Sequence, residues 1–350
     1  MSTTKEIPLG QLARELGGQL TGPPEVIIRG AASLSEAGED QIAFLANARY
    51  EKHMAATRAA AVIVAQDYAG AGRNLIRCQD PYFAYRQAMV LLYGFRAHPF
   101  RGIDPRAGID PTAAIGADVA AGPFVTVCAG ASVGDGCVLY PGVFVGPRAR
   151  LGRGCVLYPN VVVYDDCVLG ERVTLHAGTV IGQDGFGYAT HAGRHEKIPP
   201  VGWVEVGDDV EMGACCAVDR ATMGPTVVGA GTKFSNLVTI GHGTRVGRHC
   251  LFVAQVGVAG SVMIGDYCAL AGQVGVVGHI SIGNMVRVGA QSGVAGDVPD
   301  KQEVFGSPAL PLANARRVLM TTKRLPELRK QLKALQAEVA AMKKQLAPPT

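Results

Sequence analysis

Residues 240–270 read Ile240-Gly-His-Gly-Thr-Arg-Val246-Gly-Arg-His-Cys-Leu-Phe252-Val-Ala-Gln-Val-Gly-Val258-Ala-Gly-Ser-Val-Met-Ile264-Gly-Asp-Tyr-Cys-Ala-Leu270. A large apolar residue returns at every sixth position, and the series continues without a break to Val294. Helices have a period of 3.6 and half-buried strands a period of 2, so neither explains a period of six. A hexapeptide-repeat β-helix explains it, because each hexad supplies one short strand and one turn.

The same period governs an earlier block, in which every sixth residue from Ile109 to Ile181 is apolar and only Ala121 is small. Three hexads close a triangular coil of about 18 residues, and successive coils stack at the strand spacing of about 4.8 Å. The pattern predicts a mainly β fold, with a left-handed parallel β-helix over residues 101–310. The repeat is interrupted by Gly182 to Glu205, and we expect a projecting insertion there, a kind of loop that commonly carries function.

The flanking segments lack the six-residue period. Residues 1–100 combine helix-like stretches, Leu9 to Leu16 and Tyr82 to Leu92, with a short buried strand, and they predict a small α/β domain. Residues 311–350 predict an oligomerising helix, because their apolar residues follow the 3,4 spacing of a coiled-coil seam. The seam consists of Leu325, Leu328, Leu332, Leu335, Val339, Met342 and Leu346.

Composition excludes several classes of protein. Five of the nine cysteines share one phase of the repeat that takes small side chains, which favours reduced core thiols over a disulfide framework or a zinc site; they are Cys137, Cys155, Cys216, Cys250 and Cys268. Met1 to Gly10 has no apolar run, so we expect a cytoplasmic chain without a secretory signal or stable membrane insertion. Tyr267 to Val286 lacks charged residues, but its glycines and phasing favour soluble β structure over a membrane span.

Three segments stand out as motifs. They are Ile42-Ala-Phe-Leu-Ala-Asn-Ala-Arg-Tyr50, Gly182-Gln-Asp-Gly-Phe-Gly-Tyr188 with Lys197-Ile-Pro199, and Asn236-Leu-Val-Thr-Ile-Gly-His242. With these motifs the whole chain resembles the UDP-3-O-acylglucosamine N-acyltransferase family of lipid A biosynthesis. The resemblance implies transfer of a 3-hydroxyacyl chain from acyl carrier protein to the 2-amino group of the UDP-sugar. It also implies a homotrimer with active sites between neighbouring β-helices, and neither a cofactor nor a metal.

An amine that attacks a thioester needs a base for its proton and a donor for the developing oxyanion. His242 lies between two glycines, and coil arithmetic puts Gly260, 18 residues later, one strand spacing of about 4.8 Å away. An isolated histidine is more often a surface residue without a task, but the motif favours a catalytic one. The resemblance assigns the same roles, with His242 as general base and the Gly260 N–H as oxyanion donor.

The substrate-binding residues are predicted mainly from the resemblance. His279 lies two coils and one position past His242, about 10 Å along the axis, which suits contact with a ligand better than proton transfer; the resemblance implies sugar or diphosphate binding there. Asn236 is implied to bind substrate. Ser235 stands where many relatives have Asp, so the orienting partner of His242 is an open question.

Phe44 and Tyr50 are implied to sandwich the uracil ring, with Asn47 reading its polar edge, although from composition alone two such aromatics are more often core. Gly293 and Ala295 are small and leave room for a long acyl chain in a groove between subunits.

Residues 311–350 carry nine Lys or Arg and two Glu, within a formal net charge of +4. Four of these, Arg316, Arg317, Lys323 and Arg324, suit an acidic carrier protein or form a solvated helix face. The segment has no aromatic residue, so nucleic acid is not expected as a partner.

Three alternatives compete with this interpretation. A β-helix carbonic anhydrase needs three histidines at one zinc ion, but His249 falls off the edge that carries His242, His191 and His195 lie in the insertion, and we expect His176 and His249 to be structural. A non-catalytic scaffold does not explain the position of Gly260 beside His242, nor the N-terminal motif that is implied to bind the nucleotide. The nearest rival is a sister acyltransferase that forms an ester at the sugar 3-hydroxyl or acts on a different amino sugar, but the O-acyltransferases usually lack the N-terminal domain.

Overall fold

The computed structural model describes residues 5–306 and 311–345. The chain divides into two compact units, Met1–Pro99 and Phe100–Thr350. The elements of the first unit are β1 (Ile7–Pro8), α1 (Leu9–Glu15), β2 (Gln19–Thr21), β3 (Ile27–Ile28), β4 (Gly30–Ala31), β5 (Gln41–Leu45), a 3₁₀ helix (Ala48–His53), β6 (Ala61–Ala65), β7 (Leu75–Cys78) and α2 (Pro81–Tyr93). Five of the strands form a sheet of order β2-β7-β6-β5-β4 that packs with the two α-helices, as the mixed pattern predicts.

Helix α2 shows how local sequence sets these bounds. The Asp80 carboxylate accepts hydrogen bonds from the backbone N–H groups of Tyr82 and Phe83, both at 3.0 Å. Pro81 occupies the first helical position, where its missing N–H costs nothing. The helix ends at Gly94, whose φ of 67° is readily adopted by glycine.

The second unit is the left-handed parallel β-helix predicted from the six-residue period. It has three faces, each a parallel sheet. Face 1 contains Gly108–Ile109, Thr126–Val127, Phe144–Val145, Val162–Val163, Val180–Asp184, Ala217–Arg220, Thr239–Ile240, Gly257–Val258, Gly275–Val276 and Gly293–Val294. Face 2 contains Ala114–Ile115, Ser132–Val133, Arg150–Leu151, Val168–Leu169, Trp203–Val206, Pro225–Val228, Arg245–Val246, Met263–Ile264 and Ser281–Ile282. Face 3 contains Ala120–Ala121, Val138–Leu139, Val156–Leu157, Thr174–Leu175, Glu211–Met212, Lys233–Phe234, Leu251–Phe252, Ala269–Leu270, Arg287–Val288 and Glu303–Val304.

The apolar phase of each hexad forms one continuous core inside the three faces. Paired residues such as Phe234 and Phe252 are 18 positions apart and both are buried. The five in-phase cysteines are buried, and all nine cysteines are free, as predicted. Residues Tyr267 to Val286 form short strands of the β-helix, also as predicted.

The insertion is confirmed as a departure from the coil. Val168 pairs with Glu205, 37 residues later, and the extra residues form an antiparallel hairpin of Tyr188–His191 and Arg194–Lys197. In the following coil Val218 pairs with Ile240, a separation of 22 residues. Coil arithmetic in steps of 18 therefore fails across this region.

The C-terminal helix α3 spans Leu312–Gln345. The side chains of its 3,4 seam from Leu325 to Met342 are 40–60% exposed, so no other part of residues 5–306 and 311–345 covers the seam. Leu346 and the tail Ala347 to Thr350 lie outside the described residues. Among the described helices, none combines the length and the apolar character that crossing a membrane requires.

Candidate functional site

His242 lies in the corner between faces 1 and 2, in a turn that buried threonines hold in place. The Gly243 N–H donates to the Thr226 hydroxyl at 2.8 Å, and the Thr244 hydroxyl donates to the Ala259 carbonyl at 2.8 Å. Both threonines are fully buried. Gly243 has a φ of 67°, which glycine adopts without strain. The half-buried His242 side chain is therefore carried by a rigid corner.

The imidazole of His242 lies directly against Gly260, as the coil arithmetic predicts. A Cβ atom on Gly260 would lie 2.5 Å from Nε2 and 2.6 Å from Cε1 of His242, so only glycine leaves room for the ring. The Ser261 N–H donates to the His242 carbonyl at 2.8 Å and fixes the two coils to each other. The Gly260 N–H has no hydrogen-bond acceptor among the described residues, which leaves it available to a ligand.

His279 lies at the same corner, farther along the axis. Its N–H donates to the Gly260 carbonyl at 3.3 Å. It shares the left-handed turn conformation of Gly243 and Ser261, with a φ of 61°, and its side chain is exposed. His242, Gly260 and His279 thus form one row along the corner, in the order expected from the sequence.

The insertion closes the other side of His242. Gly185 is buried, and a Cβ there would lie 2.5 Å from the His242 Cβ, so the backbone of the insertion packs against the imidazole stem. The Arg220 guanidinium anchors the start of the insertion by donating to the Gly182 carbonyl at 2.7 Å and to the Asp165 carboxylate at 2.9 Å. The sequence indicated an insertion with a function but not its contact with His242.

A buried carboxylate, Asp219, also belongs to this corner, and sequence analysis missed it. Asp219 is 8% exposed and accepts a hydrogen bond from Gln183 Nε2 at 2.9 Å. Burial raises the pKa of Asp219, while the Gln183 hydrogen bond and the charge of His242 act in the opposite direction. The one feature of the sequence that could have indicated this buried carboxylate is the run Val218-Asp219-Arg220, which places two charged residues at the end of an apolar strand.

A shallow apolar groove runs along face 1 beside this corner. Three glycines, Gly257, Gly275 and Gly293, occupy equivalent positions in successive coils and form its floor. A cavity of about 520 Å³ lies over them and over Thr239. Sequence analysis singled out Gly293 but missed the other two glycines. Ala295 lies just beyond, beside a smaller cavity that also includes Gly293.

The predicted uracil residues line one cavity of about 460 Å³ in the N-terminal unit. Phe44, Asn47 and Tyr50 all contribute to its wall. Phe44 is half-buried and stacks on Tyr85 with ring centroids 4.3 Å apart, whereas Tyr50 is 53% exposed. Asn47 Oδ1 caps the following 3₁₀ helix by accepting the Arg49 N–H at 2.9 Å. The sequence motif predicted that these three residues share one site, and they do line one cavity. A ligand between the two aromatic rings remains a prediction.

Asn236 lies in a different corner, between faces 3 and 1, and within one chain it does not join the His242 row. Its Oδ1 accepts the Ala214 N–H of the preceding coil at 2.8 Å. Asp208 and Asp266 make the equivalent contact in their own corners, so this hydrogen bond is a recurrent structural feature of the coil. The structure gives Asn236 a structural partner, and its predicted substrate contact stays untested.

The remaining predicted residues are placed as follows. Arg316, Arg317, Lys323 and Arg324 are exposed on α3. His249 stacks on Tyr267 at 5.3 Å, and His176 stacks on Tyr158 at 4.6 Å, as expected of structural histidines. Among the described residues, no group of three or more His, Cys, Asp or Glu side chains converges on a point that could hold a metal ion.

Comparison with known proteins matches two family models to parts of the chain. Residues 25–91 match UDP-3-O-(3-hydroxymyristoyl) glucosamine N-acyltransferase, LpxD, and residues 148–183 match the bacterial transferase hexapeptide repeat. A UDP-3-O-acylglucosamine N-acyltransferase of Myxococcus xanthus (strain DK1622) is 52% identical, over 97% of this chain and 99% of its own. The chain belongs to the UDP-3-O-acylglucosamine N-acyltransferase family.

Two other members of this N-acyltransferase family are also similar to the chain over nearly its full length. The relative from Geobacter sp. (strain M21) is 48% identical over 97% of this chain and 98% of its own. The relative from Anaeromyxobacter sp. (strain Fw109-5) is 42% identical over 93% of this chain and 94% of its own. The resemblance read from the three motifs is confirmed, and the chain is an acyltransferase rather than a carbonic anhydrase or a scaffold.

Proposed function

We propose that this protein transfers a 3-hydroxyacyl chain from acyl carrier protein to the 2-amino group of UDP-3-O-(3-hydroxyacyl)glucosamine. The product is UDP-2,3-diacylglucosamine, an intermediate of lipid A biosynthesis. The observation that carries the proposal is the direct contact between the His242 imidazole and Gly260, whose N–H is available to a ligand. A base and an oxyanion donor at adjoining positions are what the attack of an amine on a thioester requires.

The transfer is direct and sequential, and it forms no acyl-enzyme. The 2-amino nitrogen attacks the thioester carbonyl carbon while His242 takes the proton that the nitrogen loses. The Gly260 N–H donates to the oxyanion of the tetrahedral intermediate. The carbon–sulfur bond then breaks, and the protonated His242 returns the proton to the departing thiolate. No cofactor takes part in this scheme.

The acyl chain of the donor lies along the glycine floor of face 1. Gly257, Gly275 and Gly293 are spaced by the coil repeat, and they leave the groove open where larger side chains would obstruct it. Because glycine recurs at this position in three successive coils, the groove accepts a long chain.

The acceptor is recognised through its nucleotide and its sugar. The uracil ring lies in the cavity of the N-terminal unit between Phe44 and Tyr50, where stacking contributes about 1–3 kcal/mol, and Asn47 contacts its polar edge. His279 and Asn236 bind the sugar or the diphosphate. Phe44→Ala combined with Tyr50→Ala is expected to raise the KM for the acceptor while leaving the KM for the donor unchanged.

The donor and the assembly involve helix α3. The exposed cations Arg316, Arg317, Lys323 and Arg324 attract the acidic carrier protein, and this attraction weakens as salt is added. The uncovered seam of α3 supports a homotrimer. We place the reaction in the cytoplasm, where acyl carrier protein is available, with no nucleic acid partner.

Product mass tests the proposed reaction. The protein is incubated with 3-hydroxyacyl-carrier protein and either UDP-3-O-acylglucosamine or UDP-N-acetylglucosamine, which offers only hydroxyl groups. We expect a diacyl amide from the first acceptor and no ester from the second. An ester from the second acceptor, with no amide from the first, would assign the protein to the sister reaction instead.

A further inference from the structure

We propose that Asp219 is a positioning residue for His242, and that Gln183 holds the Asp219 carboxylate in place. The inference rests on the proposed role of His242 as general base. It answers the question that Ser235 raises, namely which carboxylate supports the imidazole when the position before Asn236 lacks one.

The strand register places Asp219 beside the histidine turn. Val218 pairs with Ile240 on face 1, so Asp219 lies next to Gly241, the residue before His242. Gln183 pairs with Asp219 from the coil on the other side. The carboxylate therefore lies under the His242 corner, one coil away, on the side opposite Gly260.

The surroundings of Asp219 leave its charge unneutralised in the single chain. Its side chain is buried, and its one hydrogen bond comes from the neutral Gln183 amide. The adjacent cation, Arg220, is directed to Asp165 and to the Gly182 carbonyl instead. No Lys or Arg among the described residues forms an ion pair with Asp219. A buried carboxylate without a counter-ion stabilises a positive charge that develops nearby.

His242 is the group in this corner that acquires such a charge. The other charged groups nearby are already paired, because Asp184 bonds Lys197 at 2.9 Å and Asp165 bonds Arg220. His279 lies on the far side of Gly260, away from Asp219. No direct Asp219–His242 ion pair within 4.0 Å occurs among the described residues, so Asp219 acts on His242 through space rather than through a shared proton.

Within one chain, Ser235 does not replace this carboxylate. It lies in the corner between faces 3 and 1, and its carbonyl accepts a hydrogen bond from the Cys216 thiol at 3.1 Å. Its hydroxyl is therefore in a different corner of the coil from the His242 turn.

Asp219→Asn tests the inference, because it keeps the shape and the capacity to bond Gln183 but removes the charge. We expect kcat for N-acyl transfer to fall by at least about tenfold, a part of the 10²–10⁴-fold that general base catalysis contributes. Both KM values should stay within about twofold of wild type, since the carboxylate is buried and has no substrate contact in the proposed mechanism. The acidic limb of the kcat/KM profile should move to lower pH, because an anion that favours the protonated base has been removed.

Asp165→Asn is the matched control. It removes a neighbouring carboxylate whose partner is Arg220, so it should lower the thermal midpoint without moving the acidic limb. Gln183→Met, which keeps the volume but removes the N–H donor, should lower kcat at unchanged KM and provides a test if Asp219→Asn does not fold. A folded Asp219→Asn or Gln183→Met protein with wild-type kcat and acidic limb would overturn the inference.

His242→Ala, measured in parallel, separates this inference from the proposed function. If His242→Ala is inactive while Asp219→Asn behaves as wild type, only the positioning role fails. If wild type itself gives no amide, or His242→Ala gives as much as wild type, the proposed function fails and the role of Asp219 fails with it.

Discussion

His242 is positioned by the backbone that surrounds it on two sides. Gly260 lies against the imidazole ring, and Gly185 of the insertion lies against its Cβ. At both positions an added methyl group would overlap the histidine, so the absence of a side chain is what lets the backbone approach the ring so closely. In the proposed mechanism this closeness lets the Gly260 N–H reach a group held beside the ring.

Gly260→Ala is therefore expected to reduce kcat by about 100-fold, because the ring must move by an ångström or more to make room, a displacement that costs about that much in rate. Steady-state amide formation measures the loss, and circular dichroism checks that the β-helix is intact. Gly108→Ala is the matched control, since nothing lies within 4 Å of the added Cβ and the residue is far along the coil. Wild-type kcat in Gly260→Ala would show that the ring is not confined there.

Sequence alone located part of this corner and missed another part for a physical reason. Gly260 and His279 follow His242 at regular coil spacing, so counting in steps of 18 found both. Asp219 and Gln183 precede it across the insertion, where the pairing distances are 22 and 36 residues and counting fails. Contacts across an irregular coil depend on the register, which only the folded chain supplies.

At the scale of elements, the hairpin insertion and helix α3 differ in how they relate to the repeat. The insertion leaves the coil and returns to it in register, so it adds a wall to the corner without disturbing the core. Helix α3 has a continuous apolar seam that no part of the described chain covers. The seam could be predicted from its 3,4 spacing because a coiled-coil seam depends on local sequence alone.

Leu332→Asp should disrupt the proposed trimer, because the carboxylate would be placed inside the seam. Light scattering of the eluted protein is expected to give a trimer mass for wild type and a lower mass for the variant. Lys333→Ala changes the next residue, which lies off the seam, and should leave the mass unaltered. A trimer that persists in Leu332→Asp would move the assembly contact from α3 to the β-helix.

At the scale of the whole molecule, the β-helix is a stack of coils around one apolar column. Its inward positions are buried except near the two ends of the stack, and its outward positions form the groove and the corners that are proposed to carry function. The period of six fixed which residues point inward, so the fold was predictable from the sequence. The uracil-binding role proposed for the N-terminal unit was predictable only from its motif, because the sequence alone does not distinguish Phe44 and Tyr50 from aromatic residues of the core.

Leu157→Ala should lower stability by about 2–5 kcal/mol, the usual cost of a cavity at a fully buried leucine. Val156→Ala, one residue earlier on the same strand and pointing outward, should cost clearly less. Thermal midpoints at equal protein concentration compare the two variants. Equal decreases in the thermal midpoints of the two variants would contradict the assignment of Leu157 to the inward phase of the repeat.

The most direct test of the proposed mechanism is the rate of amide formation by His242→Ala beside that of His249→Ala. His249 is a corner histidine of the same β-helix that stacks on Tyr267 and has no proposed part in the reaction. We predict that kcat/KM falls by about 10²–10⁴-fold in His242→Ala, the contribution of a general base, and stays near wild type in His249→Ala. Undiminished turnover by a folded His242→Ala protein would contradict the assignment of His242 as the base.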